Sequence, residues 1–436
     1  MGGIRKLRNV LIISFLFNQQ NIPGAIRLRG LVKYLPEFGW NPVILTVKTS
    51  EITDKKITIF ETDYEDTIIF WKKLIGIPIN KTLKEYYDIP TTTKKKTLID
   101  ILISVWFEVF TYPHPTINWS KSAIEKGVEI IKDDHFDAII SSSAPITSHI
   151  IAAELTKRER IPWIADFRDL WTQNHYNIHS RVRNFFETRL ELKTLSSADA
   201  LITVSHPLSE KLKKLHTNKK IFTITNGYDP EQINPGIPLT EKFSITYTGF
   251  IYKGRQDTEP FFRTLKFLID AKKIDPATIE VHFFGIREGW LMSEAKKYQL
   301  ENIIRIHGKV SREESIQKQR ESQVLLLLTW NDPNEKGVYT SKIFDYLAAR
   351  RPILALGLQG SVVSDLLNQT QAGVNVSLDT EIQDQILKLY LEYCENGFVK
   401  YSGILSEIER YSHQEMAKNF AEVLEEICES RKNLNT

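Results

Sequence analysis

The sequence predicts an α/β fold with two doubly wound parallel sheets. Short apolar segments alternate with segments of helical periodicity along most of the 436 residues, which is typical of parallel α/β proteins. The apolar segments are apolar throughout, as expected for strands that are buried on both faces. Turn residues crowd into residues 226–238 and interrupt the alternation, so we predict a hinge between two domains.

In the first half of the chain, the strands are predicted at residues 10–17, 42–47, 137–143, 162–167, 200–205 and 221–225. Helical patterns lie between them. One segment, at about 58–116, departs from this alternation because it contains several lysines and ends in an apolar run over 98–110. We interpret it as an insertion with a buried helix and a solvated lysine face. A helix that contacts a membrane is the alternative.

In the second half, the strands are predicted at residues 243–248, 279–284, 303–307, 324–329, 352–356 and 373–376. The predicted domains are an N-terminal Rossmann-like domain at 1–226, a hinge at 227–241, a C-terminal Rossmann-like domain at 242–411 and a final helix at 412–436 that packs back on the first domain. Ligands of open α/β sheets bind beyond the carboxyl ends of the strands, so we expect them in a cleft between the domains.

Composition excludes several classes of protein. Apolar residues make up 42% of the chain and charged residues 25%, as in ordinary globular proteins. The net charge of +3 is too small for a dedicated nucleic-acid binder. Residues 1–230 carry 32 basic and 25 acidic side chains, so the first half is the one in which we expect an anionic partner.

The predicted location is the cytoplasm. The two cysteines, Cys394 and Cys428, have no CxxC spacing, which favours a reducing compartment. The sequence contains no run of 18 apolar residues, so no transmembrane helix is predicted.

Several common motifs of enzymes are incomplete. Residues 249–256 follow a strand and resemble a P-loop, but they lack its lysine and its serine or threonine. Neither half opens with GxGxxG, and GxSxG does not occur. His175 and His179 lack the acid of an HExxH zinc site.

Phosphate-type signals remain in the second half. Gly249 ends its first strand and lets the backbone approach an anion, and the cations of Lys253 and Arg255 follow in the loop. Lys342 lies in the first turn of a predicted helix, whose free N–H groups attract phosphate. Asp345 can accept hydrogen bonds from sugar hydroxyls. For each residue taken alone, the alternative is a solvated loop lysine or an acid that complements the helix dipole. Taken together, the residues indicate a nucleotide diphosphate site.

In the first half, Asp166, Arg168 and Asp169 come at the end of a predicted strand. Charges are costly to desolvate there unless a ligand or a partner compensates them, which indicates a second part of the site. A structural Asp–Arg pair is the competing interpretation.

The motifs of the chain, in their order and spacing, resemble those of glycosyltransferase family 4 over nearly the whole length. They are GAIRLRGL at 24–31, ADFRDLW at 165–171, ADALITVS at 198–205, TNGYD at 225–229, YTG at 247–249, and GVYTSKIFDYLAA at 337–349, which leads into RPILA at 351–355. Members of this family are retaining nucleotide-sugar enzymes of GT-B architecture, in which two Rossmann-like domains face a central cleft.

The resemblance implies that the nucleotide diphosphate of the donor binds in the C-terminal domain and the acceptor mostly in the N-terminal domain. Residues 307–310 would lie near the base and Asp345 would hold the ribose. No metal and no cofactor besides the donor are implied. The implied catalytic residues are Arg168, Asp169, Lys253 and Lys342, and the implied donor-binding residues are Gly24, Gly249, Arg255, Val310, Gly337, Thr340, Ser341 and Asp345.

The chain departs from the family at several positions. Members often carry two glutamates eight residues apart where this chain has Gly337 and Asp345, and Asp332 or Glu335 are the candidates to replace the first. Family members have a basic residue after the strand-end glycine, whereas this chain has Phe250. Lys253 and Arg255 are therefore the candidates for that role at displaced positions.

The expected function is transfer of a hexose or a derivative from a nucleotide diphosphate sugar to a glycan or lipid-linked glycan in polysaccharide biosynthesis, with retention (EC 2.4). If the acceptor is linked to a polyprenyl lipid, the protein would reach it by peripheral contact with the inner face of the membrane. No nucleic-acid partner is expected. Alternatives are a sugar-nucleotide epimerase of the same architecture and a non-catalytic GT-B subunit that binds nucleotide or glycan. The non-catalytic alternative stays open because Gly337 replaces the family glutamate and Arg168 stands where many members have histidine.

Overall fold

The computed structural model describes residues 7–19, 22–49, 57–65, 108, 111–174, 176, 179–234, 236–285, 289–330 and 332–435. Most of the predicted insertion lies outside the described residues, as does His175. The chain divides into two compact units. The first consists of Met1–Val204, Ser209–Ile224 and Lys418–Thr436, and the second consists of Ser205–Leu208 and Thr225–Ala417.

The first unit contains a sheet of seven parallel strands in the order β3-β2-β1-β4-β5-β6-β7. Every residue of the three strands β4, β5 and β6 is buried, which explains why their sequences are not alternating. The strands are β1 (Arg8–Ile13), β2 (Trp40–Val47), β3 (Thr58–Thr62), β4 (Ala138–Ser143), β5 (Trp163–Phe167), β6 (Ala200–Thr203) and β7 (Lys220–Thr223).

Helices connect these strands and close both faces of the sheet. They are α1 (Pro23–Tyr34), α2 (Trp119–Asp133), α3 (Thr147–Glu159), α4 (Arg181–Leu195) and α5 (His206–Leu215), whose residues 206–208 belong to the second unit. The last helix, α13 (His413–Asn435), lies in the first unit from Lys418 onward. It is held there by ion pairs between Arg431 and Asp199 (2.8 Å) and between Lys220 and Glu426 (2.8 Å).

The second unit contains six parallel strands in the order β10-β9-β8-β11-β12-β13. The strands are β8 (Phe243–Thr248), β9 (Ile279–Phe284), β10 (Ile304–Gly308), β11 (Val324–Leu328), β12 (Ile353–Leu356) and β13 (Gly373–Val376). The helices are α6 (Glu259–Asp270), α7 (Gly289–Lys297), α8 (Arg312–Glu321), α9 (Lys342–Ala349), α10 (Val362–Thr370), α11 (Asp379–Asn396) and α12 (Leu405–Glu409).

The central strand β11 shows how the second sheet is buried on both faces. Leu326 and Leu328 belong to the apolar cluster on one face, whereas Leu325 and Leu327 belong to the cluster on the other. Because successive side chains point to opposite faces, a strand between two helical layers buries every side chain, which favours apolar residues at successive positions. The run of four leucines fits this preference.

The predicted strands are all present, and the predicted α/β class with two parallel sheets is confirmed. Strand β3, at the start of the predicted insertion, was not predicted. It lies at the sheet edge, and of its five residues only Thr62 is buried, so its sequence lacks the apolar run that revealed the other strands. No helix in the described ranges is long and apolar enough to span a bilayer.

A buried ion pair joins α1 to the centre of the first sheet. Arg27 donates two hydrogen bonds to Asp166, at 2.9 Å and 3.3 Å, and the two side chains are 1% and 0% exposed. Ser142 donates to the same carboxylate (2.9 Å), and Arg27 also donates to the carbonyl oxygen of Ile224 (3.0 Å). Asp166 therefore completes the packing of β5 against α1 and compensates the buried guanidinium.

We expect Asp166→Ala to lower the free energy of unfolding by about 3–5 kcal/mol, because it leaves the Arg27 guanidinium buried without its counterion. Urea unfolding measures this loss. The matched control is Asp379→Ala, which removes an equally bidentate but exposed pair with Arg263 and should cost about 0–1 kcal/mol. Equal losses in the two variants would contradict the prediction.

Candidate functional site

Glycines close the carboxyl ends of three adjacent strands in the second unit. Gly249, Gly285 and Gly308 follow or end β8, β9 and β10, with φ of 101°, 95° and 74°. Gly249 donates a backbone hydrogen bond to Phe284 (2.8 Å), and a Cβ built on Gly285 would lie 3.0 Å from the Gly249 Cα. The backbones therefore approach one another where a side chain would not fit, which leaves an open backbone surface at this edge.

The side chain of Lys342 lies over Gly249. A Cβ built on Gly249 would collide with the Lys342 Cε and would lie 3.2 Å from its Nζ. The Nζ is 5.4 Å from the ring centroid of Tyr247. Among the described residues it has no hydrogen bond and no ion pair, although the side chain is half-buried. The ammonium group is therefore placed where an external anion can neutralise it.

The environment of Lys342 changes its acidity. Burial lowers the pKa of the ammonium to about 8, while the nearby charge of Asp345 acts in the opposite direction. A bound anion would stabilise the charged form further. Lys342 is thus a group whose charge state responds to ligands near neutral pH.

Thr340 and Ser341 lead into the amino end of α9. Ser341 is the N-cap residue, but its side chain caps no backbone N–H, and the Thr340 carbonyl accepts a hydrogen bond from Ile343 (3.2 Å). Because the first N–H groups of a helix have no partner within it, this end can donate to an anion. Lys342 is the first residue of the same helix, so its ammonium group and the N–H groups at the helix start can contact the same anion.

Asp345 is engaged by a residue that the sequence analysis did not single out. Arg312, the first residue of α8, donates to both oxygens of Asp345, at 2.8 Å and 3.3 Å. A carboxylate accepts about four hydrogen bonds, so the expected contact with ribose hydroxyls stays a prediction. No local signal marks Arg312, because its contact depends on the packing of α8 against α9.

The loop after β8 carries the two displaced cations on aromatic side chains. The Nζ of Lys253 lies 5.6 Å from the ring centroid of Trp290, and the guanidinium of Arg255 lies 4.6 Å from that of Trp330. Both cations are exposed. Gln256 fixes the end of the loop by donating to the β11 backbone (2.6 Å). The loop thus presents positive charge beyond β8, as the sequence predicts.

Gly337 has a packing role that explains the loss of the family glutamate. Its carbonyl accepts a hydrogen bond from Ser205 (2.6 Å), and a Cβ at this position would lie 2.8 Å from the Cβ of Pro207. A glutamate would not fit this contact. Asp332, one candidate to replace it, accepts from the backbone N–H of Asn334 (2.9 Å) and so caps a short 3-10 helix.

Val310 is half-buried in the loop between β10 and α8, three residues after His307, whose exposed imidazole stacks on a buried ring. The imidazole of His307 lies flat on the Phe284 ring, with 4.2 Å between centroids and 8° between planes. Its Nε2 is 3.0 Å from the Nδ1 of His282. The predicted position of the base near Val310 stays a prediction.

In the first unit, Gly24, Arg168 and Asp169 lie together. Arg168 donates to Asp169 at 2.6 Å and 2.9 Å, and a Cβ on Gly24 would collide with the Arg168 guanidinium. The competing interpretation, an Asp–Arg pair, is therefore present, and the catalytic role of both residues stays a prediction. Their loop continues into Trp171 and Thr172, which bind two buried carboxylates of α4.

The structure thus brings the predicted residues together in two groups, one in each unit. The first group is Gly24, Arg168 and Asp169. The second is built around Gly249, Lys342, Thr340, Ser341 and Asp345, with Lys253 and Arg255 in the following loop.

The chain has the GT-B fold, because its two parallel sheets match those of solved glycosyltransferase structures. Three solved structures match nearly the whole chain. The first is a glycosyltransferase from Rickettsia africae (TM-score 0.60, 15% identity, 97% of this chain and 98% of that one). The second is the sucrose-phosphate synthase of Thermosynechococcus elongatus (TM-score 0.56, 12% identity, 98% of this chain and 98% of that one). The third is Anabaena HepE in complex with UDP and glucose (TM-score 0.55, 13% identity, 95% of this chain and 99% of that one).

The family model of Glycosyltransferase Family 4 matches residues 90–232. This match covers about a third of the chain and contains the ADFRDLW and ADALITVS motifs, and it supports the resemblance that the motifs predict. No curated protein sequence matches the chain significantly.

We expect Gly249→Ala to lower both the melting temperature and the affinity for inorganic diphosphate. The alanine would have to keep the unfavourable φ of 101°, and its Cβ would displace the Lys342 side chain. The control is Gly360→Ala, at φ 64° with no atom within 4 Å of a built Cβ, which should cost only about 1 kcal/mol. An unchanged diphosphate affinity in Gly249→Ala would contradict the proposed position of Lys342.

The affinity for inorganic diphosphate should fall as the pH rises from below to above the Lys342 pKa of about 8. The ammonium is present below that pH and is lost above it, so the attraction to the anion declines in this direction. Calorimetry with the wild type and Lys342→Arg tests this, since arginine stays charged and the ionisation of the ligand is common to both. Equal pH dependence of the two proteins would refute the prediction.

Proposed function

We propose that the protein transfers a sugar from a nucleotide diphosphate sugar to a glycan or lipid-linked glycan, with retention of the anomeric configuration. The observation that carries this proposal is the half-buried ammonium of Lys342 over Gly249, without a counterion among the described residues. A diphosphate supplies the missing negative charge. The family match and the fold support sugar transfer as the reaction.

The chemistry follows from the charge that develops on the leaving group. When the bond between the sugar and the diphosphate breaks, negative charge grows on the departing phosphate. Lys342 and the free N–H groups of α9 are placed in advance to stabilise it, with Lys253 or Arg255 as the second cation. In this proposal side-chain cations perform the task of a metal ion, so no metal or further cofactor takes part.

We propose a nucleotide sugar as donor because HepE, which shares the fold, is solved with UDP and glucose and with UDP-glucose. The acceptor is proposed for the first unit, where Arg168 and Asp169 lie beside Gly24. The resemblance supports this division of the substrates. We place the enzyme in the cytoplasm, where nucleotide sugars are the donors of polysaccharide synthesis.

A non-catalytic nucleotide-binding subunit is the second candidate. It is favoured by Gly337, whose contact with Pro207 leaves no room for the family glutamate, and by Asp345, whose carboxylate is held by Arg312. Such a protein would bind the nucleotide at Lys342 but would turn over no donor.

Thermal unfolding with UDP, GDP, ADP, CMP and TDP tests the proposal. One of the nucleotides should raise the melting temperature without added metal, since a ligand at 100 times its dissociation constant stabilises the protein by about 2.7 kcal/mol. Lys342→Ala should weaken this nucleotide about tenfold or more, because it loses a charge-assisted contact of about 1.5–3 kcal/mol. Lys388→Ala, which removes an exposed lysine of α11, is the matched control.

A nucleotide sugar with the selected base then separates the candidates. Transfer or slow hydrolysis of the sugar supports a transferase, whereas conversion of the free donor to an isomer indicates an epimerase. Binding without any turnover indicates the non-catalytic subunit. If no nucleotide stabilises the protein, the proposed donor site is wrong.

A further inference from the structure

A cavity opens at the amino edge of the first sheet. It has a volume of about 590 Å³ and lies between the end of α3, the end of α13 and the loops that precede β6 and β7. Loops that precede parallel strands and loops that follow them lie at opposite edges of a sheet, and Arg168 and Asp169 follow β5. The cavity is therefore separate from the group that these two residues form with Gly24.

Positive charge dominates the lining of this cavity. Asp199 is the one carboxylate among the described residues that line it, and five cations leave an excess of four positive charges. Every lining residue belongs to the first unit, the half of the chain in which the sequence predicts an anionic partner. The five cations are Lys157, Arg160, Lys219, Lys220 and Arg431.

Two of the five cations are already neutralised within the protein. Arg431 donates to both oxygens of Asp199, at 2.8 Å and 3.0 Å, and Lys220 pairs with Glu426 at 2.8 Å. The other three lining cations form no ion pair with any residue that the structure describes. Like charges that share a cavity repel one another, and a bound anion relieves this repulsion.

Lys219 is half-buried in the lining. Its Nζ donates to the carbonyl oxygens of Ser196 (2.7 Å) and Ala198 (2.6 Å), which engage two of its three N–H groups. Burial lowers the pKa of this lysine against the effect of Asp199, and the charge of Arg431 lowers it further. The desolvated ammonium thus retains a donor and has no counterion in the described ranges, a combination that favours an anionic ligand.

Neutral polar groups accompany the cations. Thr156 lines the cavity and is only 3% exposed, and its Oγ1 has no hydrogen-bond partner among the described residues. The hydroxyl of Ser430 accepts from Lys220 (3.2 Å), which leaves its own proton to donate. Buried polar groups are normally hydrogen-bonded, so the cavity offers polar atoms that a ligand with several oxygen atoms can satisfy.

We propose that this cavity binds a phosphate group, either free or carried by a small organic molecule. A phosphate ester carries about −1.5 to −2 charges at neutral pH and three acceptor oxygens, so a single group can meet several of the unpaired cations. A carboxylate supplies one charge only. The cavity also has the size of a small-molecule site, for which about 300–1,000 Å³ is typical.

A phosphate in this cavity would join the last helix to the sheet. Arg431 belongs to α13, whereas Lys157 and Arg160 belong to the end of α3 and the residue that follows it. An anion between them is attracted to both elements and would strengthen the attachment of α13. The cavity contains none of the residues proposed for the donor or the acceptor, so this inference goes beyond the proposed function.

Calorimetry with the full chain carrying Lys342→Ala tests the inference, because this change removes the ammonium of the proposed donor site. Inorganic phosphate and glycerol 3-phosphate should each bind at one saturable site, whereas glycerol should not bind. Tighter binding of glycerol 3-phosphate identifies an organic phosphate as the ligand, and tighter or equal binding of inorganic phosphate identifies the free ion.

Adding Lys157→Gln/Arg160→Gly to this chain removes two unpaired cations at little cost to the fold. Lys157 is exposed, and Arg160 has a φ of 58°, which glycine adopts without strain. We expect the phosphate affinity to fall about tenfold or more, since two charge-assisted contacts are lost, with no decrease in the melting temperature. The matched control is Lys272→Gly/Lys388→Gln, in which both lysines are exposed and Lys272 has a φ of 56°.

Hydrogen exchange of the same proteins locates the anion. Phosphate should slow exchange in the loops at 196–199 and 218–220 and at the end of α13. Protection confined to other segments, no saturable phosphate binding, or equal phosphate affinities of the cavity variant and its control would overturn the inference. In the chain with native Lys342, lost phosphate binding at the cavity with an unchanged nucleotide shift supports it, whereas absence of a nucleotide shift in the wild type contradicts the proposed function alone.

Discussion

Burial of both faces of two parallel sheets confines the polar chemistry of this protein to the ends of its strands. β11 illustrates the constraint, because its leucines enter apolar clusters on opposite faces and leave no position for a polar group. Parallel strands carry their carboxyl ends to one edge, so the loops that follow β8, β9 and β10 meet there. The glycine backbones at 249, 285 and 308 and the Lys342 side chain share that edge as a consequence.

The candidate site depends on the missing side chain of Gly249. Its absence lets the Lys342 stem cross the strand end and places the ammonium half-buried beside Tyr247. That position carries a cost, seen in the lowered pKa of the lysine, because desolvation disfavours the charged form. In the proposed function, a bound diphosphate would offset this cost. The same electrostatic feature that makes the free site unfavourable therefore makes it selective for an anion.

In the first unit, α4 and the neighbouring strand hold the loop that follows β5. The inward carboxylates of α4, Glu187 and Glu191, fix the loop that positions Arg168 and Asp169, and the buried pair of Arg27 and Asp166 fixes the strand before that loop.

The sequence by itself determined the two-sheet architecture, because strands buried on both faces favour runs of apolar residues and such runs are easily recognised. It also placed Gly249, Lys342 and the Arg168–Asp169 segment at strand ends and a helix start, where local chemistry identifies them. Tertiary structure alone decided the contacts of these residues. Arg312 binds Asp345, and Pro207 excludes a side chain at Gly337, because residues distant in sequence meet only after packing. The edge strand β3 was missed for a related reason, since its half-exposed residues need no apolar run.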